Sequence, residues 1–225
     1  LTEDFKIRAE DYKKPNGGII FPNPNAPTGV MEDLSMIEEV VAANPDVVCI
    51  IDEAYIDFGA KSSLELIDKY ENLLVVQTFS KSRAMAGLRV GYAIGSKKLI
   101  KYLSDVKFSF NSYTMNSLTL AVGTEAVRDD AYFKEITGKI IRTRERSKKE
   151  LRELGFRFED SMSNFIFATH ETIPAKELFE ALKEQDIYVR YWNKPRIDNY
   201  LRISIGTDEE MDTLFAFLRE YIKNR

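Results

Sequence analysis

The sequence is short of cysteine and histidine, with one of each in 225 residues. A lone thiol forms no intrachain disulfide, and Cys49 lies inside the apolar run Val47–Ile51, so it reads as a reduced core residue. His170 falls at a strand end and reads as a surface residue outside any chemistry; no metal site is expected. Neither sign of charge dominates. The 32 basic and 36 acidic side chains are interspersed and leave a net charge of −4, so no basic face advertises nucleic acid. No apolar run approaches membrane-spanning length and no secretory signal precedes the fold, which predicts a soluble, cytoplasmic chain without a membrane partner. Repeats and low-complexity tracts are also missing. So is an initiator methionine: the chain opens at Leu1 and soon reaches a strand, which reads as the later part of something longer.

What remains is an ordinary globular mixture, 44% hydrophobic and 30% charged, enough for one large domain or one plus a small appendage. Leu1–Lys14 is charged and weakly patterned. Apolar runs at Ile19–Phe21, Val47–Ile51, Leu73–Thr78 and Val90–Ile94 read as strands. They alternate with helical spacing over Glu32–Ala43, Leu64–Tyr70 and Lys97–Val106. That alternation predicts an α/β domain on a mostly parallel sheet. An aromatic, polar connector, Phe108–Tyr113, leads to a helix over Asn116–Val127, and a long amphipathic helix over Ala131–Leu154 ends at Gly155. Beyond it the pattern changes. Strands are expected at Phe156–Phe158, Asn164–Thr169, Ile187–Tyr191 and Tyr200–Ile205, with helices over Ala175–Gln185 and from a capping box at Thr207–Glu210 to about Tyr221. We expect a large domain over residues 1–144 and a small α+β domain over 145–225.

The chemistry concentrates at the ends of the predicted strands. Lys81 follows the buried-type run Leu73–Val76, and in an open α/β sheet that end faces the ligand crevice. A lysine there can lose solvation and serve as an amine nucleophile toward a carbonyl. Thr78 and Ser80 share one strand parity and offer two hydroxyls, while Arg89 offers a planar cationic fork, a set that suits a phosphate dianion. An amine beside a phosphate site points to pyridoxal phosphate. An ordinary strand-end lysine with a solvated arginine fits the same stretch. Asp52 ends the apolar run Val47–Ile51 and is expected to be the buried acid, with Glu53 pointing the other way. A carboxylate against a pyridine nitrogen keeps it protonated, so that the ring can accept electrons. The loop Asn23-Pro24-Asn25-Ala26-Pro27-Thr28-Gly29 cannot continue as helix or central strand and holds its amides in fixed places.

The motifs Asn23–Gly29, Asp52-Glu53-Ala54-Tyr55, Thr78-Phe79-Ser80-Lys81, Ala86–Tyr92 and Tyr200–Thr207, in this order, resemble those of the histidinol-phosphate aminotransferases. These are fold-type I pyridoxal-phosphate enzymes of the aspartate aminotransferase superfamily. The resemblance implies Lys81 as the Schiff-base lysine and proton shuttle, Asp52 at the pyridine nitrogen, and Tyr55 at the ring's 3-oxygen. It implies Thr78, Ser80 and Arg89 at the cofactor phosphate. It also implies Arg202 as a clamp on the substrate α-carboxylate, Arg190 at the substrate phosphate and Asn164 near the substrate. The implied partners are small amino and 2-oxo acids and a second copy of the chain, as a homodimer. Two departures stand out. Ala26 occupies the place of an asparagine that contacts the 3-oxygen, a role Asn25 would take with a shifted loop. The front of such enzymes, which supplies a stacking aromatic, phosphate-binding backbone N–H groups and dimer-crossing tyrosines, is absent from this chain. An aromatic aminotransferase, an amino-acid-phosphate decarboxylase and a non-catalytic remnant are the alternatives.

Overall fold

The expected β-branched runs do form strands in the computed structural model, which describes all residues from Leu1 to Arg225. Strands β1 (Ile19–Pro22), β2 (Cys49–Asp52) and β3 (Leu73–Thr78) are parallel, with Ile19 beside Cys49 and Cys49 beside Leu73. Strand β4 (Gly91–Gly95) is the exception to a parallel sheet and runs antiparallel to β3, with Thr78 opposite Gly91. The loop 79–90 holds only a single 3-10 turn, Ala86–Leu88, so there is no crossover helix to carry the chain back for a parallel return. Helix α1 (Leu34–Ala42) covers one face. Its Ile37, Val40 and Val41 pack on Ile19, Phe21, Cys49, Ile51, Leu73 and Val75, the residues of one strand parity. Each such side chain, fully buried, contributes about 1.5–3 kcal/mol. The opposite parity is more open: Ile20 is 70% exposed. The helix expected over Leu64–Tyr70 is a 3-10 turn at Ser63–Leu66, capped by the Ser62 hydroxyl.

Three helices follow. They are α2 (Lys97–Phe110), α3 (Ser117–Arg128) and α4 (Asp130–Glu153), and the side chains of Ser96, Asn116 and Asp129 cap their first turns. Nothing between Lys97 and Phe110 breaks a helix, so α2 absorbs the first part of the expected connector. No helix is long and apolar enough to cross a membrane. Helix α4 joins the two halves of the molecule. Its buried Arg144 donates from Nη1 to the carbonyls of Phe58 (2.8 Å) and Ser163 (3.0 Å), and its buried Lys148 pairs with Glu145 and Asp160. Residue 144, the expected domain division, lies within this helix.

The second sheet is antiparallel throughout, in the order β5 (Phe156–Arg157), β6 (Phe165–His170), β8 (Leu201–Ser204), β7 (Arg190–Tyr191). Helices α5 (Ala175–Glu184) and α6 (Asp208–Lys223) close its core around Ile166, Leu178, Leu201, Ile203, Phe215 and Leu218. The capping box opens α6 as expected: Thr207 Oγ1 accepts from the Glu210 N–H, and Glu210 accepts from the Thr207 N–H. Ile187 and Val189 pack on the core but join no ladder, so the expected strand shortens to two residues. His170 is not a surface residue. It is buried, its Nε2–H meets the Leu154 carbonyl at 2.9 Å, and its Nδ1 accepts from the N–H groups of Thr172 and Ile173. The ring satisfies backbone groups at the end of α4 that would otherwise be orphaned.

Candidate active site

Parallel pairing brings the C-terminal ends of β2 and β3 to the same edge, with Asp52 beside Val76. There a cavity of about 490 Å³ is lined by Asp52, Thr78, Ser80, Lys81, Arg89 and neighbouring backbone. The Thr78 hydroxyl lies 3.0 Å from that of Ser80 and accepts the Ser80 N–H at 3.1 Å, which folds the strand end into a tight hydroxyl pair. Arg89 occupies the left-handed region (φ 57°) and its guanidinium donates to the Ala86 carbonyl at 3.0 Å, leaving its other donors exposed. A non-glycine residue held in that region is a strained element of the kind found around ligand sites. Lys81 is exposed, and its Nζ lies 5.3 Å from the centroid of the buried Tyr55 ring.

The two acids of the motif exchange the expected places. Asp52 is half-buried, faces the cavity and accepts the Ala54 N–H at 3.0 Å. Glu53 is the deep one, 1% exposed, and accepts from Ser62 Oγ (2.6 Å), the Ser63 N–H (2.6 Å) and Gln77 Nε2 (2.8 Å). The 3-10 turn at Ser63–Leu66 closes over Glu53, whereas the cavity keeps Asp52 open. Asn25 does not line the cavity; its side-chain oxygen accepts from Thr28 Oγ1 at 2.8 Å and its backbone braces the loop to Gly29 and Val30. Asn23, fully buried, ties that loop shut through the backbone of Glu32.

The second sheet supplies the remaining expected residues. Arg190 and Arg202 are directly opposite on β7 and β8. Asn164 precedes β6, half-buried, with its carbonyl accepting the Ile205 N–H. Two aromatic residues that pattern reading passed over connect the parts. The Phe165 ring stands edge-on to Tyr55 at 5.1 Å and beneath the Arg202 guanidinium at 4.9 Å. Trp192 lies under both Arg202 (5.3 Å) and Arg190 (5.4 Å). The spacing Arg190-x-Trp192, which puts both side chains on one face of an extended segment, was the available signal. A larger cleft of about 610 Å³ lies between the Ser82–Met85 loop and helices α3 and α4. Its charges are already taken: Arg128 pairs with Glu125, and Arg83 donates to the Ala126 carbonyl.

The profile of aminotransferase class I and II matches residues 2–218. Over all 225 residues the chain is 52% identical to the histidinol-phosphate aminotransferase of Brachyspira hyodysenteriae, of which it spans 64%. The crystal structure of the histidinol-phosphate aminotransferase from Clostridium acetobutylicum superposes on the whole chain with a TM-score of 0.92 at 26% identity, 70% of that protein being covered. The histidinol-phosphate aminotransferase from Sinorhizobium meliloti, solved in complex with pyridoxal-5'-phosphate, matches 92% of this chain and 58% of its own at a TM-score of 0.80 and 25% identity. The chain thus spans under two thirds of the length of the curated relatives it matches. With that match running almost from end to end, the chain belongs to the class I and II aminotransferase family.

Proposed function

We propose that this protein is a pyridoxal-phosphate-dependent aminotransferase that moves the amino group of histidinol phosphate to 2-oxoglutarate. The observation that carries the reading is a single cavity at parallel strand ends that gathers an amine, an acid, two hydroxyls and an arginine. These residues fit the cofactor. Lys81 would be the amine that holds its aldehyde carbon, Asp52 would meet the ring nitrogen, and Thr78, Ser80 and Arg89 would hold the phosphate. Once bound, pyridoxal phosphate supplies a carbonyl to carry the amino group and a ring to accept electrons. Tyr55, packed between Lys81 and Phe165, would offer its phenol to the ring's 3-oxygen; Asn25, held by Thr28 outside the cavity, does not reach that site. Lys81, exposed at the cavity edge, would move a proton at the substrate α-carbon. Arg202 would receive the carboxylate of the 2-oxo acid and Arg190 the phosphate of histidinol phosphate, with Asn164, just before β6, joined to the end of β8 through the Ile205 N–H.

Two further elements belong to this reading. The protein works in the cytoplasm on small amino and 2-oxo acids, as two domains that meet along α4, and it is a homodimer. Support for the dimer comes from the apolar residues left uncovered on α2, α3 and the turn between them, including Val106, Phe110, Tyr113 and Leu118. The deciding experiment is a titration of the purified chain with pyridoxal phosphate. We expect a new visible absorbance band that Lys81→Ala abolishes. A wild-type chain without the band leaves a folded module and removes the enzyme reading.

A further inference from the structure

Arg190 and Arg202 face one another as Cα partners on β7 and β8, a placement that sets like charges against each other. Neither guanidinium has a carboxylate or carbonyl partner, and the buried Nε of Arg202 makes no hydrogen bond at all. Each instead lies over an aromatic ring: both over Trp192, and Arg202 over Phe165 as well. Trp192 is itself held edge-on to Phe167 at 6.3 Å, beside the cluster of Phe5, Val30 and Phe167.

The choice of partner has a chemical consequence. An aspartate or glutamate would also fix a guanidinium, but it would take the N–H edge and cancel the charge. An aromatic face attracts the cation through its quadrupole and leaves the in-plane N–H donors free for a bidentate anion. We propose that Trp192 is a positioning residue: its indole holds the two arginines at a set spacing with their donors open, so that the site selects amino and oxo compounds that carry an anionic phosphate or carboxylate group. Resting on the aminotransferase reading above, this adds the residue that sets the spacing. Phe165 and Tyr55 continue the same row of rings to Lys81, so the receptor pair is tied geometrically to the amine.

Trp192 is the only tryptophan, and its emission therefore reports on the receptor directly. The test is calorimetric titration of the full chain with histidinol phosphate and with histidinol, using wild type, Trp192→Leu, Trp192→Gln, Trp192→Tyr, Arg190→Ala and Arg202→Ala, each checked for folding by circular dichroism. Wild type is expected to prefer the phosphorylated compound and to change its tryptophan emission with that compound alone. Losing the ring should weaken phosphorylated binding about tenfold with histidinol unchanged, and Trp192→Tyr should restore most of it. If the arginine variants weaken phosphorylated binding while both Trp192→Leu and Trp192→Gln bind as wild type, Trp192 has no positioning role. Should the arginine variants bind normally too, or wild type show no preference, the substrate reading itself fails. Trp192→Gln serves if the leucine variant does not fold.

Discussion

Asp52 and Glu53 are adjacent acids with opposite tasks, and substitution should separate them. Replacing Glu53 with Gln leaves its three donors one acceptor short of the carboxylate they surround, and we expect a loss of about 1–3 kcal/mol in urea unfolding. Asp52→Asn should change unfolding by less than about 0.5 kcal/mol, as for a side chain open to the cavity, and on the proposed reading it should abolish transamination. Which of the two lies deeper was hidden from the sequence, because counting from the apolar run does not reveal that residues 62–66 fold back over Glu53. The core thiol was plain from its neighbours. Burial raises the Cys49 thiol from its ordinary value of 9 to about 11. Because the folded value is the higher one, stability is unaffected below about pH 9 and falls between 9 and 11 as the unfolded thiol ionises first. A maleimide at pH 7.5 should accordingly leave Cys49 unlabelled in the native chain and label it fully in denaturant.

At the level of elements, α4 is the joint on which the arrangement rests. Arg144→Leu would strand the carbonyls of Phe58 and Ser163, and we expect a cost of about 2–4 kcal/mol, read as a lower denaturant midpoint with unchanged helix content. Gly29 is a second joint. Its φ is +77° and an added Cβ would overlap the buried Ser161 side chain, so Gly29→Ala should lower the melting temperature. Elements with strong periodicity were legible: β3 has its expected bounds, and α4, α5 and α6 differ from expectation by a residue or two. The failures were contextual. The direction of β4 depends on a loop that makes no helix, and β7 is short because pairing partners, unlike propensities, are not written locally. The cofactor-type residues were read from motif order, whereas Phe165 and Trp192 emerged only when two sheets were brought side by side.

Across the whole molecule the largest uncovered apolar side chains gather on α2, α3 and the turn between them, with Phe110 at 90% and Tyr113 at 94% exposure. If that surface joins two copies, Phe110→Asp together with Leu118→Asp should shift sedimentation from dimer to monomer without altering the melting of either core. The outer rim of the first sheet carries a different consequence. β1 has a neighbour on one side only, and its Ile20 stands uncovered. A free ladder with an oily knob upon it is a template onto which stray extended peptide can zip. Concentrated stocks should therefore turn cloudy through cross-β growth from that rim, and Ile20→Lys, a gatekeeper charge, should keep them clear.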